Sequence, residues 1–198
     1  MPVTEIRIAG FGGQGVIMSA VVIGKAACIY AGGYSTMTQN FGPEARGGAC
    51  SAQVILSDSP VLYPYVAHPD ILVVMSQEAY TLFSPQIKDE GILIIEEDLV
   101  RIGELPVGVR VYSIPATRIA EELGKKMVLN IVMVGFFGAV SQVLDPDALR
   151  QAVAASVPEP YRELNLKAFD KGFEYGTRAL TETIVKQESQ VAVAALET

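Results

Sequence analysis

As far as Lys125 the apolar residues come in short runs separated by polar and glycine-rich breaks; beyond it they follow longer helical patterns. Residues 6–9 predict a first strand. Residues 16–31 predict a helix whose small and apolar residues recur too densely for a one-sided surface helix, so most of it should be buried. Gly32-Gly33 ends that helix, and the β-branched and aromatic bias of residues 34–38 predicts a second strand, followed by a loop over 39–48. Residues 50–56 and 61–65 flank the turn-rich Ser57-Asp58-Ser59-Pro60 and predict a hairpin, which makes the sheet mixed. Continuous apolar runs at 71–75 and 92–95 predict strands covered on both faces, with a helix over 77–88 between them and a further strand at 109–114.

Pro115 opens a helical pattern that reaches Lys125, and residues 129–142 form a second, buried helix. Asp145-Pro146 supplies an N-cap and first helical residue for a helix ending near 156. A final helix is expected over 161–187, with 188–198 as a tail expected to fray. The pattern predicts one α/β domain over residues 1–198: three α/β/α layers around a mixed, mainly parallel sheet, with a Rossmann-like glycine loop after the first strand.

That loop is Gly10-Phe11-Gly12-Gly13-Gln14-Gly15. Glycines let backbone turn sharply and approach a ligand, and the free N–H groups of the following helix attract anions. Gly10, Gly12 and Gly15 fit the dinucleotide fingerprint, so a nicotinamide or flavin site is one reading. The fingerprint also expects an acid near the end of the second strand; here Ser35 to Asn40 offer none, and no arginine suggests a 2′-phosphate. A structural alternative is that the glycines only allow tight strand–helix packing. Gln14 weighs against it, because a long polar side chain at a turn tip serves a ligand or partner better than a core.

A net charge of -7 argues against a general basic field for nucleic acid. The uncharged stretch 127–144 contains Asn130, Ser141 and Gln142 and falls short of a membrane span, and residues 1–7 lack a secretory h-region, so the expectation is a cytoplasmic protein with no membrane partner. Cys28, Cys50 and the lone His68 supply no disulfide framework, zinc site or iron–sulfur ligand set. No metal site and no self-contained catalytic set is expected. His68 reads as a turn residue, Glu96-Glu97-Asp98 as a solvated turn, and Asn130 as a buried polar group that must find partners, the glycine turn being the nearest candidate.

A second loop, Asn40-Phe41-Gly42-Pro43-Glu44-Ala45-Arg46-Gly47-Gly48, leaves the sheet at the same edge. Arg46 can hold a phosphate or carboxylate bidentately, and Gly47-Gly48 lets backbone come close beside it; the plain alternative is an Arg46–Glu44 surface contact. With both loops, the expected hairpin, Pro69-Asp70 before an apolar strand, Asn130 ahead of Val134-Gly135, and 165–172 as a closing helix, the chain resembles the gamma subunit of the 2-oxoacid:ferredoxin oxidoreductases over nearly its whole length.

The resemblance implies a subunit of an assembly that oxidatively decarboxylates a 2-oxoacid, forms an acyl-CoA and reduces ferredoxin. The 2-oxoglutarate branch is favoured, and the pyruvate, branched-chain and indolepyruvate branches stay open. Thiamine diphosphate and the iron–sulfur clusters would lie in alpha, beta and delta-type partner subunits, and none would be bound by this chain alone. The gamma surface is associated with coenzyme A access, which carries over to Gly10, Gly12, Gly13, Gln14, Gly15, Asn40, Arg46, Gly47 and Gly48. Ala45 stands where many members have methionine, which weakens any inference about substrate. An isolated chain would be open to forming a homodimer through surfaces meant for partners. The alternatives are a free-standing nucleotide-binding dehydrogenase or regulatory domain, and a purely architectural interaction module.

Overall fold

The computed structural model describes residues 3–42 and 48–196, and only the backbone of 183–196. Six strands form one sheet in the order β2-β3-β1-β4-β5-β6. They are β1 (Thr4–Phe11), β2 (Tyr34–Phe41), β3 (Ala49–Ser57), β4 (Ile71–Val74), β5 (Ile92–Glu96) and β6 (Arg110–Ile114). β1, β4, β5 and β6 run parallel; β3 pairs antiparallel with both β1 and β2.

The hairpin therefore differs from the one expected. Val54 of β3 sits opposite Met37 of β2 on one side and Ile6 of β1 on the other, so neither edge of β3 is open to a partner from residues 61–65. That segment carries Pro64 and leaves Leu62, Tyr63 and Tyr65 exposed, outside any strand.

Alternation along β1 sends Ile6 and Ile8 to one face and Arg7 and Ala9 to the other. The first face is covered by α1 (Val16–Lys25), α3 (Ala116–Glu122), α4 (Leu129–Ser141), α5 (Pro146–Ser156) and α6 (Glu159–Leu196). The second is covered by α2 (Gln77–Phe83) and a 3₁₀ turn, Ser84–Gln86, where Pro85 cuts short the helix expected to Lys88. The helix expected over 16–31 is α1 plus a π-helical segment, Ala26–Tyr30, closed by Ala31 N–H donating to the Ala26 carbonyl. Asp145 caps α5 as expected, its Oδ1 accepting from the N–H groups of Asp147 and Ala148 at 2.8 and 3.2 Å.

α4 is buried from Leu129 to Val140, and no helix among the described residues is long and apolar enough to cross a membrane. It crosses α6 backbone to backbone. A methyl group on Gly135 would run into the Phe169 carbonyl, and one on Gly172 into the Val132 carbonyl, so both must be glycine for the helices to meet this closely. α6 continues as helix to Leu196, through the segment expected to fray from Glu188.

Candidate functional site

β1 ends at Phe11, and the chain reverses through Gly12 to Gly15 into α1. Gly13 has φ +102° and Gly15 φ +75°, conformations that L side chains adopt only with strain. Gly15 is the N-cap of α1 and supplies no side-chain hydrogen bond, so the first-turn N–H groups stay open to an anion.

Gln14 does not face outward. Its Oε1 accepts from the Phe11 N–H and its Nε2 donates to the Met75 carbonyl, both at 2.7 Å, so the turn is tied to the end of β4. Gly10 makes this possible: a Cβ there would stand 2.5 Å from Gln14 Oε1. Each end of the Gln14 amide thus holds a backbone partner inside the chain. Asn130, 5% exposed, supports the turn from below. Its Nδ2 donates to the Gly15 carbonyl at 3.5 Å, and its Cγ would lie 2.5 Å from any Cβ on Gly15.

The described ends of the β2–β3 connection, here called the hairpin tip, lie beside this turn. Gly12 N–H donates to the Gly48 carbonyl at 2.9 Å, and Gly42 N–H to the Ala49 carbonyl at 2.7 Å. Between turn and tip, on the α1 side, runs a cleft of about 510 Å³ lined by Gly12, Gly13, Gly15, Met18, Phe41 and Gly48 among others. Arg46 and Gly47 lie outside the described residues. Asn40 is placed elsewhere: it lines a separate cleft of about 340 Å³ on the α2 side of the hairpin tip, together with Gly10 and Arg7.

Over residues 5–175 the sequence matches the pyruvate ferredoxin/flavodoxin oxidoreductase family. The chain belongs to that family. It is 45% identical over 172 residues to the 2-oxoglutarate synthase subunit KorC of Methanocaldococcus jannaschii, a match covering 86% of this chain and 92% of the relative. Its fold is similar to the gamma subunit of a keto/oxoacid ferredoxin oxidoreductase from Geobacter sulfurreducens PCA, with TM-score 0.78, 36% identity, and coverage of 89% of this chain and 99% of that one. It is also similar to part of the 2-oxoglutarate:ferredoxin oxidoreductase of Magnetococcus marinus, solved with 2-oxoglutarate, coenzyme A and succinyl-CoA bound; there the TM-score is 0.80, the identity 26%, and the match covers 89% of this chain and 31% of that one.

The other polar residues singled out in the sequence lie away from this cleft. His68 is exposed beside the Gln86 carbonyl at the entry to β4, the sheet edge opposite the glycine turn. Glu96 is fully buried, unlike the solvated turn expected of it: its two oxygens accept from the N–H groups of Leu99 and Thr117 at 2.8 and 3.0 Å and so cap α3. Glu97 and Asp98 pair with Arg118. No cluster of three or more His, Cys, Asp or Glu side chains suited to a metal ion occurs among the described residues.

Sequence inspection passed over Arg7. Its signal was a charge between two isoleucines in a strand, and the structure buries it to 5% exposure under α2.

Proposed function

We propose that this chain is the gamma-type subunit of a multi-subunit 2-oxoglutarate:ferredoxin oxidoreductase, folded as one domain over residues 1–198. The observation that carries the reading is the joined edge. The glycine turn and the described end of the hairpin connection are locked together by the Gly12–Gly48 hydrogen bond beside an open helix N-terminus. Such an edge offers backbone donors and apolar surface to a coenzyme whose chemistry is completed elsewhere. The relatives' names support 2-oxoglutarate as the oxoacid.

In this reading Gly12, Gly13, Gly15 and Gly48 face coenzyme A at the cleft, and the family resemblance assigns Arg46 and Gly47 to the same coenzyme. Gly10, Gln14 and Asn130 hold the turn in shape, and Asn40 belongs to the α2-side cleft. Thiamine diphosphate and iron–sulfur clusters, held by alpha, beta and delta-type partners, supply the decarboxylation and electron transfer to ferredoxin. The free thiols Cys28 and Cys50 suit a reducing, cytoplasmic compartment.

A free-standing dinucleotide enzyme fits less well. The strand after α1 is not a parallel neighbour of β1, because β3 intervenes antiparallel to both, whereas the dinucleotide fold sets the second strand directly beside the first.

Co-expression with the partner subunits tests the proposal. The complex should reduce ferredoxin with 2-oxoglutarate and coenzyme A in preference to pyruvate or branched 2-oxoacids, and should lose that activity without this chain. Full activity of the partners alone, or of this chain alone, overturns it.

A further inference from the structure

Arg7 is a cation buried on the α2 side of the sheet with no counter-charge among the described residues. Its Nη1 donates to Gln86 Oε1 and its Nη2 to the Val66 carbonyl, the Phe83 ring lies 4.7 Å from its Cζ, and its Nε is buried with no partner. Both acceptors are neutral. Among the described residues no carboxylate pairs with Arg7, and the acids on its flank, Glu5 and Asp70, are each bound to Lys88 at 2.7 Å. Burial lowers the guanidinium pKa from its ordinary value, in keeping with a charge that has lost its water. Buried charges are otherwise paired, because neutral hydrogen bonds restore only part of the lost hydration.

The α2-side cleft of about 340 Å³ opens beside this group, with Asn40, Ser51 and Gln53 on the sheet and Glu78 on the helix. Glu78 is exposed. The cleft adjoins the proposed coenzyme cleft on the α1 side, with Phe41, Gly42, Ala49 and Cys50 lining both. Its volume is that of a small-molecule pocket, and its cation is too recessed for a flat protein surface to reach.

We propose that this cleft binds a small carboxylic acid, with Arg7 holding the carboxylate and Asn40, Ser51 and Gln53 supplying hydrogen bonds to the remainder. Guanidinium and carboxylate match as a planar, bidentate pair.

Thermal unfolding of the full chain tests this, with succinate compared against sodium chloride of equal ionic strength and against neutral succinamide. Succinate at ten times its dissociation constant should raise Tm by roughly 3–6 °C, and succinamide should not. Arg7→Gln should lose the shift, Arg7→Lys should keep part of it, and Gly13→Ala should keep all of it. Ser51→Asp places a carboxylate on the strand next to Arg7, on the same face, and should abolish the shift while leaving Arg7 in place; it decides the matter if Arg7→Gln fails to fold. Absence of a succinate-specific shift in the wild type, or a shift that survives Ser51→Asp, overturns the proposal.

Discussion

The Gly12 amide donates to the Gly48 carbonyl at 2.9 Å, joining the glycine turn after β1 to the far end of the second loop. Two segments separated by a whole helix and strand thus present one surface. Residues that fix its shape can be separated experimentally from residues that face a ligand.

Gln14 belongs to the first class. Gln14→Ala removes both amide bonds and strands the Phe11 N–H and the Met75 carbonyl, so the isolated chain should lose roughly 2–3 kcal/mol in urea unfolding with no ligand present. Gln14→Glu should cost at least as much, because a carboxylate cannot donate to Met75. Unchanged stability would return Gln14 to the ligand surface.

Gly15 and Asn130 should behave as a coupled pair. Gly15→Ala meets both the left-handed φ of +75° and the Asn130 side chain at 2.5 Å, whereas Gly13→Ala meets a φ of +102° but open space. Gly15→Ala should therefore destabilise the chain more than Gly13→Ala. In a double-mutant cycle Asn130→Gly, which removes all the colliding atoms, should recover part of the Gly15→Ala loss; strict additivity would show that only backbone strain is at work.

Gly172→Ala and Gly135→Ala probe the α4–α6 crossing. In an exposed helix alanine would add about 1 kcal/mol of stability over glycine. Here the backbones must part to admit the methyl, and the sign should reverse, with a loss of roughly 3 kcal/mol or more in chemical denaturation.

Burial pushes the Cys50 thiol above its ordinary pKa, while Cys28 is exposed. The folded chain keeps the Cys50 proton at a pH where the unfolded chain has released it. Stability should therefore fall as pH rises past the ordinary thiol value, and Cys50→Ala should flatten that slope. A thiol reagent should find one fast site in the native chain and a second only on unfolding.

Much of this was legible in the sequence for reasons of local chemistry. β1, the glycine turn and α1 announce themselves by an apolar run, clustered glycines and dense apolar spacing, and Asn130 by being polar in an apolar helix. The hairpin partner was not legible, because whether β3 has a free edge depends on β1 and β2, both distant in sequence. Nor could Gln14's inward turn be read, since its acceptor Met75 is brought up by β4. Arg7 was hidden by the isoleucines around it, although strand alternation already placed it on the opposite face from them.

Under the proposed function the joined turn and hairpin tip serve coenzyme A in an enzyme completed by other subunits. The most direct test is the coenzyme A dependence of ferredoxin reduction by the assembled complex, wild type against Gly13→Ala, with equal assembly verified. The KM for coenzyme A should rise roughly tenfold, about 1.4 kcal/mol, with the KM for 2-oxoglutarate unchanged. An unaltered coenzyme A dependence would contradict it.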